Sequence, residues 1–362
     1  MYQPQFHISN NLLQYIASIE ASREVIKNAP IVPAWEAKFQ AEAEVRTVYH
    51  GTRIEGNELS QEQAERVMSI NGTDPQQVAS AAGIVGRDRD VQEVINYRAV
   101  LDWINDWGKN LQGRPVYTEE MLKTLHSISV QRIVAPDQCG HYRAQRVIVR
   151  SVESGQVAYR PPAPEEVPLL LQEFFTWLNN PESWQLHKVL RAAITHYELV
   201  NIHPFIDGNG RASRGLALCL LYAEGYDVKR FFSLEQYFDN DIENYYRAIK
   251  SVQDNPTHDM TYWLEYFAYG LAIELDRIKQ SVLKLSQDFR LQKKLGQQVA
   301  LTERQLIIME YLQERGKVSS QDLNTILPLV STDTILRDLK DLIEKNIIRK
   351  HGVTKGVHYT LT

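Results

Sequence analysis

The sequence predicts a mainly α-helical chain that carries one β-hairpin among its helices and ends in a small domain of three helices and a second hairpin. Three observations predict it. Apolar residues recur at three-and-four spacing from Asn10 to about Gln287, the period of helices that bury one face. Strand character is confined to two short stretches, at 142–159 and 347–361, each folded back on a turn. The 362 residues are 43% hydrophobic and 23% charged, which suits an ordinary globular chain of about two or three domains.

In chain order, a helical region covers residues 1–110 and a second, larger one covers 111–290. Turn signals at Asn71-Gly72 and Asn179-Asn180-Pro181 separate the helical stretches. In the first strand pair, Val147-Ile148-Val149 and Val157-Ala158-Tyr159 flank Ser154-Gly155. A helix with Leu186, Val189, Leu190, Ala193, Ile194, Tyr197 and Val200 along one stripe then leads to a polar, glycine-rich loop. After that loop, residues 215–222 are apolar on nearly every side, which predicts a helix buried all round and closed near Gly225.

The pattern changes at about residue 299, so 291–362 reads as a linker and a separate domain. Thr302-x-x-Gln305 opens one helix as a capping box, Ser319 or Ser320 opens a second, and Ser331 opens a third that bears Leu336, Leu339, Leu342 and Ile343. Ile347-Ile348-Arg349, a turn at 352–356 and alternating residues 357–361 follow. Three helices plus a hairpin resemble a winged helix-turn-helix domain.

Composition narrows the functional classes. Forty basic and 45 acidic residues give a net charge of -5, so there is no bulk attraction to nucleic acid or anionic membrane. The longest apolar runs are far shorter than the roughly 20 residues that span a bilayer, and the N-terminus lacks a signal-peptide apolar block. A cytoplasmic protein is the expectation. Cys139 and Cys219 are the only cysteines, and Cys219 lies in an apolar helical run, where a buried, inert thiol is expected. Neither a His-Glu-x-x-His nor a paired Cys-x-x-Cys zinc spacing occurs.

The chemistry concentrates in residues 203–214, His-Pro-Phe-Ile-Asp-Gly-Asn-Gly-Arg-Ala-Ser-Arg. Gly208-Asn209-Gly210 before a helix makes a turn whose amide N–H groups point at one concavity, a nest for anions. Arg211 and Arg214 lie three apart on the first turn of that helix and can both reach phosphate oxygens. Asp207 adds an oxygen ligand suited to Mg²⁺ held by one carboxylate, substrate phosphates and water. His203 ionises near neutrality and can take a proton from an attacking hydroxyl. Pro204 and Phe205 hold the loop's geometry. Taken singly, each residue also reads as ordinary structure: a turn, two solvated arginines, a satisfied histidine.

Together the twelve residues match the signature of the Fic family, His-x-Phe-x-Asp/Glu-Gly-Asn-Gly-Arg-x-x-Arg, and the resemblance extends over about residues 30 to 275. It implies a helical core that transfers AMP from ATP onto a Tyr, Thr or Ser hydroxyl of a target protein. It also implies roles: His203 as the base, Asp207 on Mg²⁺, residues 208–210 as the phosphate cradle, Arg211 near the β-phosphate and Arg214 near the γ-phosphate. Gly140-His141-Tyr142-Arg143 and the hairpin after it look like the family's flap, along which a target segment would lie as an added strand. Tyr245-Tyr246 resemble the aromatic pair near the adenine.

Upstream, residues 52–57, Thr-Arg-Ile-Glu-Gly-Asn, resemble the inhibitory segment of Fic proteins, Ser/Thr-x-x-x-Glu-Gly/Asn. There the glutamate, here Glu55, pairs with the second motif arginine, here Arg214, and blocks the γ-phosphate site. The chain departs from the pattern at Gly51, where Ser or Thr is wanted. The same residues also read as a capping box, Thr52-x-x-Glu55, with Gly56 as a helix stop.

For the C-terminal domain, nine basic and eight acidic residues from 301 to 362 leave it near neutral. Asp338, Asp341 and Glu344 would sit in or near a recognition helix facing phosphates. That favours a dimerisation or target-docking module over DNA binding, although Lys345, Arg349, Lys350 and Lys355 could form a basic wing. Two other functions stay open beside AMP transfer: a DNA-binding regulator whose body senses nucleotide, and a Fic enzyme that transfers phosphate or phosphocholine.

Overall fold

The computed structural model describes residues 2–29, 31, 33–150, 157–226, 230–293, 301–328, 330–345, 347–352 and 357–361. The chain divides into two compact units, Met1–Lys27 with Ala41–Ile278, and Asn28–Gln40 with Lys279–Thr362.

The helices run in order as α1 (Asn10–Asn28), α2 (Pro33–Arg53), α3 (Gln61–Ser69), α4 (Pro75–Ala82), α5 (Asp88–Lys109), α6 (Glu119–Val130), α7 (Val167–Leu178), α8 (Lys188–Ile202), α9 (Asn209–Leu221), α10 (Leu234–Asn240), α11 (Ile242–Gln253) and α12 (Thr261–Lys293). Capping is local and follows the sequence: Ser60 closes a capping box with Gln63, Asp74 caps α4 ahead of Pro75, and Thr118 caps α6.

At the centre of the first unit α8 and α9 pack as a pair, with α5 and α6 against α9. Every residue of α9 except Gly210 is buried, as its all-round apolar pattern predicts. The chain leaves that helix through a turn with Gly225 at φ 81°, a left-handed value that suits glycine. Helix α8 departs from the single stripe read in its sequence, because Arg191, Thr195 and His196 are buried too. Each has a partner: Arg191 with Glu224 at 2.8 Å, the Thr195 hydroxyl with the Arg191 carbonyl, and His196 Nε2 with the Tyr245 hydroxyl at 2.9 Å. Satisfied polar groups can enter a core that unsatisfied ones cannot. Cys219 is fully buried, and burial pushes its thiol up, which leaves it protonated.

The hairpin among the helices is antiparallel, β1 (Val149–Arg150) with β2 (Val157–Tyr159), Val149 facing Tyr159. Its paired part is shorter than the sequence suggests, since Val147 and Ile148 precede the ladder. The expected turn at Ser154-Gly155 lies outside the described residues. The Tyr159 hydroxyl donates to Asn201 Oδ1 at 2.7 Å, which ties β2 to the end of α8.

In the second unit Thr302, Ser319 and Ser331 cap α13 (Glu303–Arg315), α14 (Ser320–Ile326) and α15 (Thr332–Glu344), so of the two serines read for the second helix it is Ser319 that caps. Strands β3 (Ile348–His351) and β4 (His358–Leu361) pair antiparallel, and Val318 exchanges backbone hydrogen bonds with Tyr359. The helices and hairpin close over Ile308, Leu312, Leu323, Ile335, Leu339 and Tyr359. One expectation is corrected here. Asp338 does not face outward; it is 7% exposed and holds Arg304 Nε at 2.8 Å, while Asp341 accepts from Gln305. Leu336, in contrast, is 42% exposed. No described helix is long and apolar enough to cross a membrane.

Candidate active site

Residues 203–208 link the two central helices, so the loop's position is set by the core beneath it. His203 ends α8 in the left-handed region, φ 52° and ψ 58°, an uncommon conformation for a residue with a Cβ. Arg143 holds it there: Nε donates to the His203 carbonyl at 2.8 Å, Nη2 donates to the Pro162 carbonyl at 2.7 Å, and the Arg143 amide donates to the Pro204 carbonyl at 2.9 Å. The strap at 140–143 thus fastens the motif as well as leading into the hairpin.

A second clamp comes from His126 on α6, a residue the sequence reading did not single out. Its ring stacks on Phe205 with centroids 3.7 Å apart. Its Nδ1 accepts from the Gly140 amide at 2.9 Å, so Nε2 carries the proton and donates to the Asp207 carbonyl at 3.0 Å. Burial brings its pKa down to about 4, so the neutral form is the one present. Nothing in its own sequence neighbourhood distinguishes His126 from a core histidine; its role exists only in contact. Asn209 staples the loop from inside, its side chain bonding both the amide and the carbonyl of Phe205 at 2.9 Å.

Gly208 caps α9 at φ 74°, where a Cβ would run into Val130. The first amides of α9 then face the site, as at any helix N-terminus. Against them lies Glu55. A Cβ at Gly210 would collide with Glu55 Oε1, so the carboxylate rests directly on the glycine. The same oxygen accepts from Arg214 Nη2 at 2.9 Å, and Arg214 is 3% exposed. Burial works against the Arg214 cation, yet Glu55, with Tyr97, Tyr245 and Glu235 around it, outweighs that and moves its pKa up. Arg214 is a permanent, enclosed cation.

Thr52 lies in the last turn of α2 with its hydroxyl turned back to the carbonyls of Val48 and Tyr49, so the reading of Thr52-x-x-Glu55 as a helix-opening box is overturned. Gly56 does end the helical turn, at φ 90°. The departure at Gly51 has a physical reason: a Cβ there would collide with the ring of Tyr97, and the Gly51 carbonyl accepts from Arg214 Nη2 at 2.9 Å. Backbone does at 51 what no side chain has room to do. His50 anchors this end of α2 to Asp239 at 2.7 Å.

Asp207 Oδ1 accepts from the Gly208 amide at 2.6 Å and faces Arg211 Nη2 at 3.4 Å, while Oδ2 accepts from Arg89 Nη2 at 2.8 Å. Burial alone would raise its pKa, but Arg211, Arg89 and the Gly208 amide outweigh burial and keep it below the usual carboxylate value. Arg211 is 1% exposed; its guanidinium donates to the Ser129 carbonyl at 3.1 Å and faces Glu93 at 3.6 Å. The Nε–H groups of Arg211 and Arg214 lack partners among the described residues. Neither Arg89 nor Glu93 is legible as a site residue in sequence, since both join the loop from more than 100 positions away.

His203 Nδ1 lies 3.3 Å from the Val200 carbonyl, which can only accept, so Nε2 is the nitrogen free to take a proton. Burial lowers its pKa from the ordinary 6.5. Of the tyrosine pair on α11, Tyr245 is 2% exposed, with its ring against Phe238 and Trp263 and its hydroxyl on His196. Tyr246 is 44% exposed and offers the accessible ring.

The loop and the helix after it therefore carry a neutral imidazole, an ionised carboxylate, a helix N-terminus and an enclosed arginine, with a second carboxylate lying on the last two. The sequence model of the Fic/DOC family matches residues 116–221, and that of the DeoR-like helix-turn-helix domain matches 304–358. The chain is 32% identical over 212 residues to the protein adenylyltransferase Fic of Drosophila grimshawi, and 30% identical over 209 residues to that of Culex quinquefasciatus. These matches cover 58% of this chain in both cases but 40% and 38% of the relatives, so the chain spans about two fifths of the length of the curated relatives it matches. Among solved structures, a Fic family protein from Desulfovibrio desulfuricans G20 superposes with a TM-score of 0.67 at 23% identity, covering 100% of this chain and 98% of that one. A Fic domain containing signaling protein from Bacteroides thetaiotaomicron VPI-5482 gives 0.59 at 21% identity over 77% of this chain and 97% of that one. At such identities the likeness concerns the fold.

Proposed function

This chain carries a Fic domain, and from that premise we propose that it is a protein adenylyltransferase, held closed by its own Glu55. The reaction moves AMP from ATP to a Ser, Thr or Tyr hydroxyl of a target protein. The hydroxyl oxygen forms a bond to the α-phosphorus, the α–β phosphoanhydride breaks, pyrophosphate leaves, and the hydroxyl proton goes to His203 Nε2. The lowered pKa of His203 supports this role, because the imidazole is neutral and ready to accept at neutral pH. The amides at 208–210 would cradle phosphate, with Arg214 and the inner, tethered Arg211 supplying positive charge. Tyr246 would contact the adenine, with Tyr245 bracing it from the core.

The donor set fits a hard divalent ion: Asp207 is ionised and 33% exposed, and Mg²⁺ commonly takes one or two carboxylates plus substrate phosphates and water. Asp207 would hold Mg²⁺, which when bound neutralises phosphate charge. A target segment would lie along the hairpin edge, and a second copy of the chain is a partner consistent with self-modification.

The observation that carries the reading is Glu55 on both Arg214 and Gly210: an anion of the chain's own lies where a phosphate would. Incubating the Glu55→Gly chain with ATP labelled at the α- or the γ-phosphate tests it. Label from the α-position should reach a hydroxyl residue at a higher rate than in the unmodified chain, and His203→Ala in that background should lower transfer by about 100-fold or more. Label from γ alone would assign phosphoryl transfer instead.

A second reading concerns the C-terminal unit, where DNA binding gains support from the withdrawal of Asp338 behind Arg304. Arg337 and Lys340 are exposed on α15, and Arg349 and Lys350 on β3. Exposed basic side chains on that helix and strand are of the kind that meet phosphates.

A further inference from the structure

Arg89 reaches Asp207 from the first turn of α5, 118 positions away in sequence, and its Nη2 is the partner of Oδ2 at 2.8 Å. The other carboxylate oxygen is taken by the Gly208 amide and Arg211. Oδ2 is therefore the oxygen left to a ligand, and a guanidinium covers it. We infer that Arg89 is an internal stand-in for the divalent cation at Asp207, so that the closed site excludes metal as well as phosphate. The inference rests on the adenylyl-transfer reading of the same site.

Three further facts carry it. A guanidinium has donors and no lone pair, so it cannot itself ligate the ion, and its positive charge on Oδ2 opposes a second cation arriving at the same oxygen. The Arg89 side chain is 55% exposed, so it can swing into water at the small cost typical of a surface ion pair. The same residue is also coupled to the inhibitory loop. Arg89 Nε donates to Glu93 at 3.1 Å, and Glu93 accepts from Asn57 Nδ2 at 3.0 Å, two residues beyond Glu55. Two turns of α5 thus hold both the carboxylate assigned to the metal and the segment that bears Glu55. Arg87 adds to this, donating to the Gly56 carbonyl at 3.2 Å.

The test uses the full chain in the Glu55→Gly background, with and without Arg89→Gln. Binding of an ATP analogue with a methylene bridge between the α- and β-phosphates is followed by calorimetry across a Mg²⁺ series, so that no transfer is needed. The Mg²⁺ concentration for half-maximal nucleotide binding should fall about three- to tenfold in Arg89→Gln, in line with loss of one half-exposed competing cation. Asp207→Asn should abolish that difference. An unchanged Mg²⁺ requirement would overturn the inference, and weaker nucleotide binding in Arg89→Gln would overturn it by making Arg89 a phosphate ligand. If the Glu55→Gly chain bound no nucleotide at any Mg²⁺ concentration, the adenylyl-transfer reading would fall too, so the two failures are distinct. Equal thermal midpoints of the Glu55→Gly chains with and without Arg89→Gln would confirm that the fold is retained.

Discussion

His203 is defined by what surrounds a single ring. Its Nδ1 is committed to the Val200 carbonyl and its backbone is pinned by Arg143, so the imidazole has one free nitrogen and one direction. Burial lowers its pKa below the ordinary 6.5, with Arg143 adding to the effect and Glu55 and Asp207 opposing it. As the proposed base, His203 would act in its neutral form. Transfer by the Glu55→Gly chain should therefore hold level from alkaline pH down through 6.5 and fall only at lower pH, as the ring gains its proton. A rate-against-pH profile checks this, and a midpoint above 6.5 would count against His203 as the base. The motif residues were legible in sequence because their spacing along twelve positions carries their chemistry. Arg89, Glu93 and His126 were not, because each acts through a contact made by folding. Tyr245 shows the converse: a tyrosine beside another tyrosine reads as an aromatic surface, yet its hydroxyl is turned to a buried histidine.

Among the elements, α8 shows most clearly how packing overrides pattern. Its apolar stripe predicted a helix with one core face, and the structure buries the other faces with polar residues that found partners. Glu198 is one of them, accepting from the Tyr2 hydroxyl at 2.8 Å. Burial raises its pKa from 4.5 to about 7, with the Tyr2 hydrogen bond pulling the other way. A carboxyl raised in this way favours the fold when protonated. Its contribution is fully present below 4.5 and is lost as pH rises through about 7. Glu198→Gln keeps the acceptor for Tyr2 and removes the charge, so thermal unfolding midpoints of that variant should exceed those of the unmodified chain at pH 8. The advantage should be on the order of 3 kcal/mol and vanish near pH 4. The caps of the C-terminal helices, in contrast, were legible residue by residue, since Thr302, Ser319 and Ser331 bond amides within three positions of themselves.

For the molecule as a whole, the two units follow different rules of legibility. The C-terminal unit is built from local signals, and its three caps and hairpin were read in order. Its charge distribution was not, because counting Asp338 with the surface ignored its pairing with Arg304. If Arg337, Lys340, Arg349 and Lys350 do meet DNA, the full chain should retard a duplex in a gel at low salt. Each doubling of salt should then weaken binding steeply, and Arg337→Ala with Lys340→Ala should flatten that dependence. Equal mobility of free and mixed duplex at low salt would leave docking to protein as the role of this unit. The first unit's helices were legible as periodicity, but the way they meet at one loop was not, since five separate helices contribute to it.

Arg214 is an enclosed positive charge, and Glu55 is the carboxylate bound to it. The residue proposed to restrain the site is thus also a counterion of the core. Removing the carboxylate, as in Glu55→Gly, would leave that charge less compensated, at a cost of about 3 kcal/mol or less of stability, since Glu55 is partly exposed. A triphosphate bound there would restore the missing negative charge. On the proposed function, the freed chain would be more active and more fragile at once, and its dependence on nucleotide would be one of structure as well as of chemistry.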